Sequence, residues 1–338
     1  MANIKKIVCI GGGTGVSTVL FGLKKYPVEL SAIISVFDDG GSSGKLREKL
    51  GVLPPGDARQ CITALAGRDD ALDLFHYRFE TGELKGHNLG NLLISAAERI
   101  CGNFEQAIDK IGKVIKMKGK VLPITLAQAK LKAGLNNNKI ISGEDAIVKC
   151  SQLSKIGLKK LFLEPEAEAN PSAILAIKKA DLIIIGPGKF YTSIIPNFLV
   201  KGIIEALRKS VAKKVFICNL MTQEGNTDGF LVEDFVKSLE DYLGKKTLNY
   251  IVFNTKKLAP ALLKKTKEFF PKAEFVGFNK NLPGKERFIG RDVLDKRIYK
   301  LNPSDTLVTG ANQRTILRHD PDKLAAIIMQ IMQTPQVK

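Results

Sequence analysis

The chain has 338 residues, 44% hydrophobic and 25% charged, enough apolar material for a large core and too much for a disordered chain. Its net charge of +18 would attract anions such as nucleotides. The lysines are nevertheless dispersed in pairs such as Lys5-Lys6, Lys24-Lys25 and Lys178-Lys179, with no basic tail or nucleic-acid module. Solvated surface charge is therefore expected, and nucleic acid is not the expected partner.

"IKKIVCI", then "GGGTG", then a stretch with Val16, Val19, Leu20 and Leu23 at helical spacing read as strand, turn and helix. "ELSAIISVF" is a second strand ending at Asp38-Asp39, so a doubly wound α/β sheet begins here. "PPGDARQC" is a rigid turn into a helix that Asp57 could cap, with Arg59 facing a crevice or pairing with Asp57. A helix is expected from about Asn88 to Ile100. From about 103 to 168 short strands and turns replace this pattern, an expected inserted subdomain within one domain spanning 1–338. "DLIIIG", "KKVFIC" and "LNYIVFN" are further buried-type strands, the first leading through the glycine turn "GPG" into an expected helix at "KFYTSIIPNF". Val232, Phe235, Val236, Leu239 and Leu243 mark an amphipathic helix, and Asp320-Pro321 opens the last one.

No apolar run approaches the roughly 20 residues that span a bilayer, and "MANIKKIVCIGGG" has no signal-peptide pattern. A cytoplasmic protein without membrane insertion is expected. Cys9, Cys61, Cys101, Cys150 and Cys218 form no CxxC pair, so they read as free thiols. His76, His87 and His319 make no conventional His-rich metal site.

In an open α/β sheet, ligands bind beyond the carboxyl ends of the strands. Here those ends deliver Gly11–Gly15, Asp38–Gly44, Gly186–Ser193 and Asn219–Asp228, a collection of small donors that suits a ligand better than a turn. "GGGTG" fails the GxGxxG pattern because Val16 takes the third glycine position. It still offers a phosphate close backbone approach and a helix N-terminus. "FDDGGSSGK" is no P-loop either: the spacing is one residue short and Leu46 replaces the hydroxyl. Asp38 and Asp39 either accept from ribose hydroxyls or hold Mg²⁺ with ligand phosphates completing its shell. "GGSSG" reads as a donor loop beside Lys45 and Arg47. His87 and Asn88 precede a helix whose first turn holds Asn91, and His87 is the histidine suited to acid–base work.

The motifs "GGGTG", "DDGGSSGKLREKLGVLPPGD", "GHNLGNLL", "IGPGKFYTSIIPN" and "VFICNLMTQEGNTDG" together resemble the gluconeogenesis factor (YvcK-like) family, related to 2-phospho-L-lactate transferase of CofD-like fold. The resemblance runs from about Ile4 to the last helix. It implies a Rossmann-like three-layer α/β sandwich with a mainly parallel sheet. It also implies binding of nucleotide-sugars such as UDP-N-acetylglucosamine and a part in cell shape and wall synthesis during gluconeogenic growth. By motif match the ligand residues are Gly12, Gly13, Thr14, Asp38, Asp39, Ser43, Arg47, Asn88, Asn91, Gly186, Gly188, Tyr191, Thr192, Asn219, Met221 and Thr222. Two departures are Lys189, a charge in place of a small residue, and Phe37 before the acids. Two functions stay open: a regulator that binds a UDP-sugar and signals to another protein, or a Mg²⁺-dependent transferase moving a phospho-lactate-like group from a nucleoside diphosphate carrier. For the second, Asp38, Asp39 and His87 are the catalytic candidates. The regulated protein and any homo-oligomer are left open.

Overall fold

In the computed structural model, which describes residues 4–67, 72–282, 284–297 and 317–334, the apolar run Ile7–Gly11 is buried, as the central strand of a parallel sheet requires. The strands are β1 (Lys5–Gly11), β2 (Val28–Ile34), β3 (Lys120–Pro123), β4 (Lys130–Leu135), β5 (Ile140–Ser142), β6 (Leu158–Glu164), β7 (Leu182–Ile185), β8 (Lys213–Ile217), β9 (Tyr250–Asn254) and β10 (Phe288–Arg291). Seven of them form a parallel sheet in the order β10-β9-β8-β7-β1-β2-β3. The order reverses beside β1: the chain winds outward through β2 and β3, then returns to β7 and winds the other way. That reversal opens a crevice at the carboxyl ends of β1 and β7.

Helices α1 (Gly13–Leu23), α2 (Gly41–Leu50), α3 (Pro55–Leu65), α4 (Leu72–His76), α5 (Leu89–Cys101) and α6 (Phe104–Val114) precede β3. Next come α7 (Glu144–Lys149), α8 (Leu153–Ile156), α9 (Pro171–Lys179), α10 (Ile203–Lys209), α11 (Val232–Leu243), α12 (Pro260–Phe269) and α13 (Pro321–Gln333). Right-handed crossovers in opposite directions put α1 and α10 on opposite faces of the sheet. α1 packs between α3 and α13, while α10 packs with α9 and α11. The five apolar positions expected on one face of α11 are its five buried residues. Asp320 caps α13, accepting from the N–H groups of Asp322 and Lys323, with Pro321 in its first turn.

Within 103–168, α6 packs on α5 and β3 joins the main sheet, whereas β4, β5 and β6 form a separate antiparallel sheet in the order β5-β4-β6. α7 follows β5 and returns to the crevice. Three local expectations change. β2 stops pairing at Ile34 because its neighbour β1 ends at Gly11, although Ser35–Phe37 continue buried. "GGSSG" is not a loop but the start of α2, with Gly40 as its N-cap. After Gly188 the chain makes a π-helical turn, Phe190–Ile194, and a 3-10 turn, Ile195–Leu199, instead of a regular helix.

Candidate functional site

A cavity of about 500 Å³ runs across the carboxyl ends of β8, β7, β1 and β2. At its centre α1 begins on Gly12 and α2 on Gly40, both in extended backbone and neither with a side-chain cap. Their first N–H groups are therefore left without an intrahelical partner, at the positive end of each helix dipole. Gly15 lets α1 approach the β7 turn, since a Cβ there would overlap the Pro187 carbonyl. The Thr14 hydroxyl donates to Gln60 Oε1 at 2.6 Å, tying α1 to α3.

On the β2 side the two adjacent acids part company. Asp38 lines the cavity and accepts from the Gly40 N–H at 3.0 Å. Burial pushes its carboxyl above the usual range, against the lowering effects of the Gly40 and Ser43 hydrogen bonds and the Lys189 charge. Asp39 instead accepts from the Asp145 N–H at 2.8 Å and packs against Gly143, whose φ of +104° no ordinary side chain adopts easily. It fixes the start of α7 and places Glu144 and Asp145 on the cavity wall. Glu144 is 7% exposed with Lys189 Nζ 3.7 Å away. Burial outweighs that neighbour and holds the Glu144 carboxyl well above the usual range.

A buried polar chain supports this wall. Arg59 Nε donates to Asn91 Oδ1 at 2.8 Å, and Asn91 Nδ2 donates to Ser42 Oγ at 3.3 Å. Ser42 Oγ lies 3.1 Å from His87 Nδ1. Burial, followed by the charges of Lys45, Lys49 and Arg78, lowers the His87 pKa, so its imidazole stays neutral at physiological pH. Arg59 thus faces the crevice in an Asn91-bound position, and Asp57 sits in the first turn of α3 against Gly13 rather than as its N-cap.

The cavity wall brings together Gly12, Gly13, Thr14, Asp38, Ser43, Gly188, Asn219, Met221 and Thr222 from four strand ends, and Asn91 from the first turn of α5. The other expected ligand residues lie behind it. Arg47 donates to the Ala129 carbonyl at 2.6 Å. Asn88 is the N-cap of α5, and its amide also donates to the His76 and Tyr77 carbonyls at 3.2 and 3.0 Å. Gly186 takes φ +75° one residue before the lining begins. Tyr191 packs edge-on against Phe190, 5.1 Å between ring centroids. Thr192 is 1% exposed, and its neighbour Ser193 lines the cavity instead. Among the described residues no group of three or more His, Cys, Asp or Glu side chains is placed to hold a metal ion by itself. Sequence reasoning missed Asp57, Gln60, Glu144 and Asp145 as wall residues, together with Phe270, Leu317, Arg318 and His319. "SGED", a turn followed by two acids at a helix start, was a usable signal for Glu144.

Residues 7–290 match the family described as 2-phospho-L-lactate transferase CofD. The chain belongs to the CofD family. Within it, the chain is 39% identical over 335 residues to the gluconeogenesis factor of Bacillus subtilis, covering 98% of this chain and 99% of that one. It is 38% identical over 330 residues to the gluconeogenesis factor of Halalkalibacterium halodurans, with 96% of each covered. A crystallised Bacillus halodurans protein of the UPF0052 family superposes with a TM-score of 0.84 at 35% identity, over 97% of this chain and 100% of that one. This CofD-family chain therefore groups with the gluconeogenesis factors, on a Rossmann-like α/β fold. Among its described residues no helix is long and apolar enough to cross a membrane.

Proposed function

We propose that the cavity binds the diphosphate of a UDP-sugar, and that the protein is a cytoplasmic regulator passing the occupancy of this site to a protein partner during gluconeogenic growth, with effects on cell shape and wall synthesis. The observation that carries the reading is the convergence of two helix N-termini without side-chain caps, at Gly12 and Gly40, on one cavity also lined by Lys189. Two such N-termini suit a diphosphate better than a single phosphate. The acids beside them fit the same ligand. Raised carboxyls at Asp38 and Glu144 take up protons more readily, which lessens repulsion of the phosphates, and ionised acids accept from sugar hydroxyls. If Mg²⁺ accompanies the ligand, Asp38, the member of the Asp38-Asp39 pair that lines the cavity, would hold it, with phosphate oxygens completing the shell.

The transferase reading uses the same geometry, with the cation stabilising a leaving diphosphate. It is favoured by the description of the matching family alone. Calorimetry with UDP-N-acetylglucosamine, with and without Mg²⁺, tests the binding reading, and a dissociation constant in the micromolar range is expected. Absence of heat with every UDP-sugar tried overturns it. Product analysis of the same mixtures separates regulator from transferase, because a regulator returns its ligand unchanged.

A further inference from the structure

The two ends of the cavity differ in chemistry. At the β2 end stand Asp38, Glu144, Asp145, Arg59 and Asn91; at the β8 end Leu220, Met221, Phe270, Ala273 and Leu317 supply an apolar wall, edged by Thr222, Gln223, Glu224 and Arg318. The phosphate-binding centre lies between them, so a nucleoside diphosphate-sugar would place its polyhydroxylated sugar towards the acids and its flat base against the apolar side chains. A base buried there still needs a partner for its polar edge.

His319 lines this apolar end and is 6% exposed. Its Nε2 lies 3.1 Å from the Cys218 carbonyl oxygen. A carbonyl only accepts, so the ring proton sits on Nε2 and Nδ1 is a lone-pair acceptor. Among the described residues no hydrogen bond to Nδ1 is formed. The ring is held by backbone on both sides, through the bridge between Leu294 and His319 and through Asp320, the cap of α13. Burial pushes its pKa down to about 4, so the tautomer persists at physiological pH.

We infer that the β8 end is a nucleobase subsite in which His319 Nδ1 accepts from a protonated ring nitrogen, selecting a lactam base such as uracil over cytosine. The inference rests on the UDP-sugar reading of the cavity and adds its base specificity. Uracil presents N3–H to such an acceptor, whereas cytosine presents a lone pair at the same position and leaves two buried acceptors facing each other. A site built around a hydrogen bond rejects the ligand lacking the donor far more strongly than an apolar wall rejects a change of shape.

The test is competition calorimetry of UDP against CDP on the unaltered protein and on His319→Gln and His319→Leu. CDP should bind the unaltered protein at least ~10-fold more weakly than UDP. Gln keeps an amide donor for the Cys218 carbonyl and an acceptor for the base, so the preference should survive in His319→Gln. In His319→Leu it should vanish. Should His319→Leu not fold, 3-methyluridine diphosphate on the unaltered protein takes its place, and it should bind weakly because it has no N3–H. Equal affinities for UDP and CDP, or for UDP and its 3-methyl analogue, overturn the inference while leaving the diphosphate site standing. Absence of UDP binding overturns both.

Discussion

The two helices that start at the centre of the cavity differ in capping from three that start elsewhere, α6, α9 and α13, although α10 and α12, which start on Gly202 and Ala259 away from the cavity, also have no side-chain cap. α6, α9 and α13 begin on Asn103, Asn170 and Asp320, and each side chain accepts from N–H groups of its own first turn. α1 and α2 begin on Gly12 and Gly40, without a side-chain cap or an acid in the first turn. A side-chain cap stabilises a helix by ~1 kcal/mol, and its absence where α1 and α2 meet the cavity leaves their first N–H groups open to the proposed ligand. α5 shows the contrast within one helix. Asn88 caps it and is spent on that task, while Asn91, one turn on, reaches the cavity wall.

The largest effect comes from moving bodily one of the helices that start at the cavity. In Gly15→Val the new side chain meets the Pro187 carbonyl, and α1 must lift off the β7 turn, carrying the Gly12 and Gly13 donors away from those of α2. The expected loss is ~3 kcal/mol or more in urea unfolding, the range of severe core defects, with UDP-sugar binding abolished. Gly15→Ala should weaken both in the same direction by less. Unchanged binding in either variant would break the claim that α1 must approach α2 at this distance.

How much of this contrast could be read in the sequence follows from how local each signal is. The capped helix α13 and the amphipathic α11 were legible because Asp320-Pro321 and the five apolar positions act within one helix. The glycines that open α1 and α2 at the cavity were legible as well, each lying in the first turn after its own strand segment. Thr192 and Ser193 show what was not. The π-helical turn Phe190–Ile194 turns Ser193 to the cavity and buries Thr192, and that choice is set by tertiary packing rather than by either residue. Asp39 was read as a partner of its neighbour Asp38, but Gly143 admits its carboxylate to a helix start more than a hundred positions away. His319 and Glu144 reach the wall from distant segments, so no local pattern joins them to Thr14.

A smaller effect tests the acid side of the cavity through pH. Because the Glu144 carboxyl titrates well above its ordinary range when folded, the folded state holds a proton there that the unfolded chain has released. Stability from this group is full below the ordinary glutamate pKa, about 4.3 in model peptides, and falls as pH rises towards and through the raised folded value. Asp38 contributes in the same direction. Glu144→Gln removes the titration, so stability measured against pH should lose a falling slope of up to ~1.4 kcal/mol per pH unit in that window. Binding of a diphosphate should also become less dependent on acid, since one source of phosphate repulsion is gone. An unaltered slope would mean that Lys189, 3.7 Å from Glu144, keeps the carboxylate ionised in the folded protein.

The smallest effects come from exchanging the two kinds of cap. Asp320→Ala takes a self-cap from α13, away from the starts of α1 and α2, and should cost ~1 kcal/mol of stability. Gly40→Ser does the reverse. Gly40 has φ −93° and ψ 161°, a conformation open to any residue, and the space for a Cβ has Asp38 and Asp145 at 3.4 Å, ordinary contact. A serine hydroxyl there can accept from the first turn of α2, raising stability by a few tenths of a kcal/mol. The same acceptor takes up donors that a phosphate would use, so UDP-sugar affinity should fall by about tenfold, the loss of one hydrogen bond to a charged group. Stability and affinity thus move in opposite directions in Gly40→Ser. If both rise together, the N–H groups of α2 are not what the ligand meets, and the difference in capping has another cause.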